Sequence, residues 1–165
     1  MAPRTRSASR ILVAALLIAA PAGAAPPVML TPMLGQWTGE ASVHGRAFRL
    51  DLHWQSTLGG RFVRLDHRLH APGMERPVFE AAAYYRGLDS LTVHGEWFDS
   101  GGLQRPITLR SGDRAWVSDW GTEATEVGRT IYTLEGDSVL AVRDSVRARS
   151  GEWREFGRAR LRRVP

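Results

Sequence analysis

Few residues in this chain could do chemistry. Its histidines are His44, His53, His67, His70 and His94, and it has no cysteine. His67 and His70 are three apart, a spacing that throws strand side chains to opposite faces and prevents a shared metal ion. No thiolate is present to complete a zinc set, so a metal site would have to be assembled from separate strands. His67 falls on an otherwise apolar face. It is either an interior histidine hydrogen-bonded to a neighbour, or a cavity group that meets a ligand or titrates near neutral pH. Nucleophilic catalysis needs a hydroxyl, a base and an orienting acid, and no Gly-x-Ser-x-Gly marks one. The nearest approach is Ser100 in Asp99-Ser100-Gly101-Gly102, which reads more simply as a strand connection with Asp99 capping the turn. His94 and Glu96 share a strand face, yet such neighbours stand ~6.5 to 7 Å apart. That is too far for a direct acid-base pair without side-chain reach. These residues point away from catalysis and call for no cofactor.

The aromatic residues carry the stronger signal. Tyr84, Tyr85, Trp97, Phe98, Trp116, Trp120 and Tyr132 cluster mid-chain, beside the small residues Ala81, Ala82, Ala83 and Gly95. Alternation allows only one of Tyr84 and Tyr85, and one of Trp97 and Phe98, to face inward. Either these rings fill a core, or, in a barrel of about eight strands or more, they line a cavity for one small ligand. The expected binding set is His67, Tyr85, Trp97, Trp116 and Tyr132. Space on the inward face of Ala81, Ala83 and Tyr85 is the reason to expect a pocket there.

Strands must position these groups, because the dominant period is two. Phe48, Leu50, Leu52 and Trp54 alternate with polar residues, as do Val63, Leu65, His67 and Leu69. Gly59-Gly60 predicts a tight hairpin turn. The register then sets Trp54 against Leu65, Leu52 against His67 and Leu50 against Leu69, with His53 against Asp66 and Asp51 against Arg68 on the other face. Further strands are expected at 78–86, 91–98, 106–111, 114–120, 127–134, 139–147 and 153–164, separated by Gly, Pro, Asp and Ser turns that include 87–89. With 38–44 there are about ten strands and no long helix. The fold expected is a single all-β antiparallel barrel.

The first 24 residues read as a signal peptide, leaving 25–165 as one domain. Arg4, Arg6 and Arg10 form a basic region, Ile11 to Ala20 an apolar stretch, and Ala22-Gly23-Ala24 a cleavage site. The apolar run is about half the ~20 residues of a spanning helix, and no second run follows. An outer-membrane barrel would need a lipid-facing apolar band on every strand, which Arg154 to Arg163 does not provide. Three of the 22 basic residues leave with the leader, so 19 then face 17 acidic ones. That near balance gives no support to nucleic-acid binding. Without cysteine, no disulfide framework exists and the core alone must hold the domain.

From about Leu34 onward the chain resembles a lipocalin-like (calycin) bacterial family, domain of unknown function 1579. The resemblance rests on Leu34-Gly35-Gln36-Trp37-Thr38-Gly39-Glu40, Gly60-Arg61-Phe62-Val63, Trp97-Phe98-Asp99-Ser100-Gly101-Gly102 and Trp153-Arg154-Glu155-Phe156. It implies that Gly35 and Gly39 let the chain turn closely into the first strand while Trp37 plugs the closed end. It also implies that an arginine of the last strand, Arg160, stacks on Trp37. Nitrobindin-like haem binders share the Gly-x-Trp-x-Gly opening and hold iron through a histidine near the C-terminus. This chain has no histidine after His94, so His67 or His94 would have to serve. The function expected is that of an exported, periplasmic or secreted soluble barrel binding a small, partly apolar ligand. The alternatives are an envelope structural or interaction protein and, behind it, an enzyme built in the cavity.

Overall fold

Alternating apolar residues close this chain on itself. The computed structural model describes residues 27–87 and 91–165; the expected leader, and most of the expected turn at 87–89, lie outside the described residues. Ten strands run in order: β1 (Gly35–Val43), β2 (Arg46–Thr57), β3 (Phe62–His70), β4 (Phe79–Gly87), β5 (Thr92–Asp99), β6 (Gln104–Ser111), β7 (Ala115–Trp120), β8 (Gly128–Glu135), β9 (Val139–Arg147) and β10 (Trp153–Arg163). A six-residue 3₁₀ helix, Val28–Met33, precedes them. Each strand pairs antiparallel with its neighbours in sequence, and β1 pairs with β10. The result is a closed up-and-down barrel, which removes the exposed edges an open sheet would present.

The expected register of the first long hairpin holds at all five pairs. Its turn sits slightly differently. Gly60 N–H donates to the Thr57 carbonyl at 3.1 Å, and φ is positive at Leu58, Gly59 and Gly60. The tight turn therefore centres on Leu58-Gly59, with Gly60 as one further positive-φ residue. Thr57 still faces Phe62, so every pair beyond is unchanged.

The interior has two storeys. At one end the inward side chains are close-packed: Trp54, Val63, Leu65, Val93, Leu109, Leu140 and Leu161 are all buried. The 3₁₀ helix closes this end by inserting Met29, Leu30 and Met33. Two indoles hold it there, with Trp37 Nε1 donating to the Met33 carbonyl and Trp116 Nε1 to the Met29 carbonyl, each at 2.8 Å. Trp37 is 1% exposed, as expected of a plug. Gly35 has φ +115, and a Cβ on Gly39 would lie 2.2 Å from the Arg160 carbonyl oxygen. Gly39 thus lets β1 approach β10 closely where the barrel shuts.

The stacking arginine is Arg163, a correction to the expected Arg160. Its guanidinium lies 4.1 Å from the Trp37 ring centroid and donates to the carbonyls of Leu34 (2.5 Å), Pro32 (2.7 Å) and Asp137 (3.2 Å). Arg160 instead pairs with Glu135 on the outer face. The physical reason is register: Arg163 is the residue opposite Trp37, whereas Arg160 lies opposite Glu40.

Candidate functional site

The other storey is hollow. Along the inward columns, the residues toward the second end stop filling the space and line a cavity of about 440 Å³. Part of the room comes from Ala41 and Ala159, which are directly paired across β1 and β10 and both line the wall. Ala83, expected to face open space, is fully buried outside the cavity and sits between Leu65 and Trp97 in the sheet.

Of the expected binding residues, the structure brings His67, Tyr85, Trp97 and Tyr132 together around this cavity. Trp116 is not among them: it is spent on the closed end, donating to Met29. It lies near the start of β7, and alternation along β7 places Ser118 and Trp120, further along the same face, in the cavity wall instead. Tyr84 and Phe98 face outward, Tyr84 beneath Arg64 and Phe98 43% exposed. The aromatic wall is ordered. His67 meets Phe79 and Trp97 edge-on at 5.7 and 5.6 Å, and Phe79 and Trp97 stack at 6.4 Å. Below them, Trp54 stacks on Tyr85 at 5.4 Å and meets Tyr132 edge-on.

A small polar set interrupts this wall. Burial pushes His67 down to about 4, so its ring is neutral at neutral pH, and Nδ1 is enclosed without a hydrogen-bond partner. Burial pushes the Tyr85 and Tyr132 hydroxyls up, with a Ser118 hydrogen bond partly offsetting this at Tyr85. Both therefore stay protonated. Asp144, on β9, completes the set. Burial pushes it up to about 6, partly offset by the Thr130 hydroxyl, which donates to Oδ1 at 2.6 Å. Trp120 Nε1 donates to the Thr130 oxygen at 3.2 Å, which orients the hydroxyl proton toward Asp144. Sequence reading passed over Asp144, although Leu140, Val142 and Asp144 share one face of β9 and period two places the carboxylate inward.

The catalytic readings gain no geometry. Asp99 caps its turn, accepting from Gly101 N at 2.9 Å and Leu103 N at 3.1 Å, while Ser100 Oγ accepts from Glu80 N at 3.2 Å. His94 and Glu96 lie outside the barrel with separate partners, Thr108 and Gln104. His70 is on the opposite side of the wall from His67, 3.1 Å from Asp51. Among the described residues, no group of three or more His, Asp or Glu is placed to hold a metal ion, and no helix is long and apolar enough to cross a membrane.

No family model matches the chain, and no curated protein matches it. Among solved structures, the crystal structure of Rv2717c from M. tuberculosis superposes with a TM-score of 0.68. The match covers 85% of this chain and 99% of that one, at 14% identity. The fold is shared. At that identity the likeness extends to the barrel and to nothing finer.

Proposed function

We propose that the protein is an exported binding barrel that holds a small, partly apolar ligand in its open storey. The observation carrying this reading is the cavity itself. Its volume of about 440 Å³ falls in the ~300 to 1,000 Å³ range of small-molecule sites, and its makeup matches theirs: apolar and aromatic walls with a few convergent polar groups. Leu50, Leu52, Leu69, Ile107 and Val142 supply aliphatic contact; His67, Ser118, Tyr132 and Asp144 supply orientation. A packed core of this chain would bring these walls together, as the closed storey does. Kinship with the lipocalin-like family named above belongs to the same proposal and rests on Gly35, Trp37 and Gly39. Export rests on the arginine, apolar and Ala-Gly-Ala succession of the first 24 residues.

Ala41→Trp tests the reading, because the new ring occupies the cavity from a wall position that has room for it. Titration with an apolar fluorescent probe should show saturable binding to the parent and its loss in the variant, while thermal unfolding shows the fold retained. A parent that never takes up a probe would overturn the proposal. So would a variant that costs ~1 to 3 kcal/mol through overpacking without changing probe uptake.

A further inference from the structure

The charges around the cavity do not balance, and the imbalance names a ligand class. Among the described residues, five charged ones line it: Asp99, Arg105, Glu126, Asp144 and Arg158. Asp99 is fully answered, by two backbone N–H groups on Oδ1 and by Trp97 Nε1 on Oδ2 at 3.3 Å. Glu126 and Arg105 answer each other at 3.4 Å, and Arg105 also lies over the Trp120 ring. Arg158 is exposed. Asp144 differs from all of these. Its Oδ1 takes one hydroxyl, and among the described residues none of the arginines or histidines forms an ion pair with it.

Among the described residues, Asp144 accepts no hydrogen bond on its second oxygen. Gly157 is its direct partner on β10, just after a register shift, and a Cβ there would sit 3.2 Å from Oδ2. A side chain at this position would press on that oxygen, whereas glycine does not. The field at Asp144 favours positive charge further, because Glu155 adds a second negative charge, and aromatic residues Trp97, Trp120, Tyr85 and Tyr132 share the cavity lining with it. His67 stands on β3, four strands away around the ten-strand ring. Its ring is neutral, so it does not repel a cation.

We propose that the cavity selects an organic cation, an ammonium carried on a compact apolar body, with Asp144 as its counter-ion. The inference rests on the ligand-binding reading above and deepens it. An unpaired carboxylate in an apolar site is costly, and a bound ammonium removes that cost, whereas a neutral or anionic ligand leaves it standing.

A matched set of probes separates the possibilities: naphthylmethylammonium, naphthylmethanol and naphthylacetate share one body and differ in charge. Calorimetric titration of the intact protein at neutral pH should rank the ammonium about tenfold or more above the alcohol, with the acetate weakest. Asp144→Asn should abolish the ammonium's advantage over the alcohol. The parent ranking is decisive even if that variant fails to fold. Equal binding of ammonium and alcohol, or an ammonium preference that survives Asp144→Asn, would overturn the assignment while leaving the binding barrel intact. Tightest binding by the acetate, lost in Arg158→Gln, would also overturn it and place selectivity at the exposed arginine. If none of the three binds and an uncharged apolar probe also fails, the binding barrel itself falls.

Discussion

Two half-buried titratable residues face the same cavity and pull the pH dependence of stability in opposite directions. Asp144 is raised from 3.8 to about 6, so the folded state holds its proton more tightly than the unfolded state does. Its contribution is most favourable below the unfolded value and is lost as pH rises toward 6. His67 is lowered from 6.5 to about 4, so the unfolded state binds its proton first. Its contribution is intact above 6.5 and is lost as pH falls toward 4. Each amounts to roughly 3 kcal/mol at full extent. Between about pH 4 and 6 the two slopes oppose each other and nearly cancel. Denaturant titrations across that window should find His67→Gln losing stability as pH rises and Asp144→Asn losing it as pH falls. At neutral pH, Asp144→Asn should be more stable than the parent. A variant pair with parallel pH profiles would contradict the burial of one or both groups. Neither behaviour could be read from the sequence, because desolvation depends on what surrounds a side chain in three dimensions.

At the scale of elements, the closed end depends on a latch that joins the first and last strands. Trp37→Ala removes the ring that carries both the Met33 hydrogen bond and the Arg163 stack. The expected loss is ~3 to 5 kcal/mol by denaturant titration. Arg163→Gln should cost about 2 kcal/mol or more, since it ends the cation-π contact and frees three carbonyls. Arg160→Gln should cost no more than ~1 kcal/mol, because its partner Glu135 is a surface residue. An equal cost for the two arginines would contradict the assigned register. Gly39→Val is a sharper test of the seam: its Cβ would collide with the Arg160 carbonyl and the Leu161 Cα, which side-chain movement cannot relieve. Alternation announced Trp37, Leu161 and the register of β2 with β3. It did not announce which of four nearby arginines meets Trp37, because that depends on where β10 stops sliding along β1.

For the whole molecule, closure joins segments that are far apart in sequence: Trp37 lies opposite Arg163. Contacts this non-local make folding slow, in the milliseconds-to-seconds range of all-β domains. A chain ending before β10 should fail to fold, because it loses Leu161 from the core and exposes both β1 and β9 as unpaired edges. Circular dichroism and urea titration of a truncation after residue 151 would check this, and a cooperative transition there would count against the closed barrel as the unit of stability. The sequence by itself determined the approximate strand count, the facing of β2 and β3 and their hairpin register, because period-two hydrophobicity and turn chemistry are local properties. Tertiary structure alone decided that Trp116 serves the cap, that Ala41 and Ala159 make room, and that, among the described residues, no cation pairs with Asp144. Each of these depends on which strands become neighbours when the sheet closes, and on how far inward side chains reach across the barrel. Alternation says that a residue points inward; only the closed barrel says whether it meets packed core or open space.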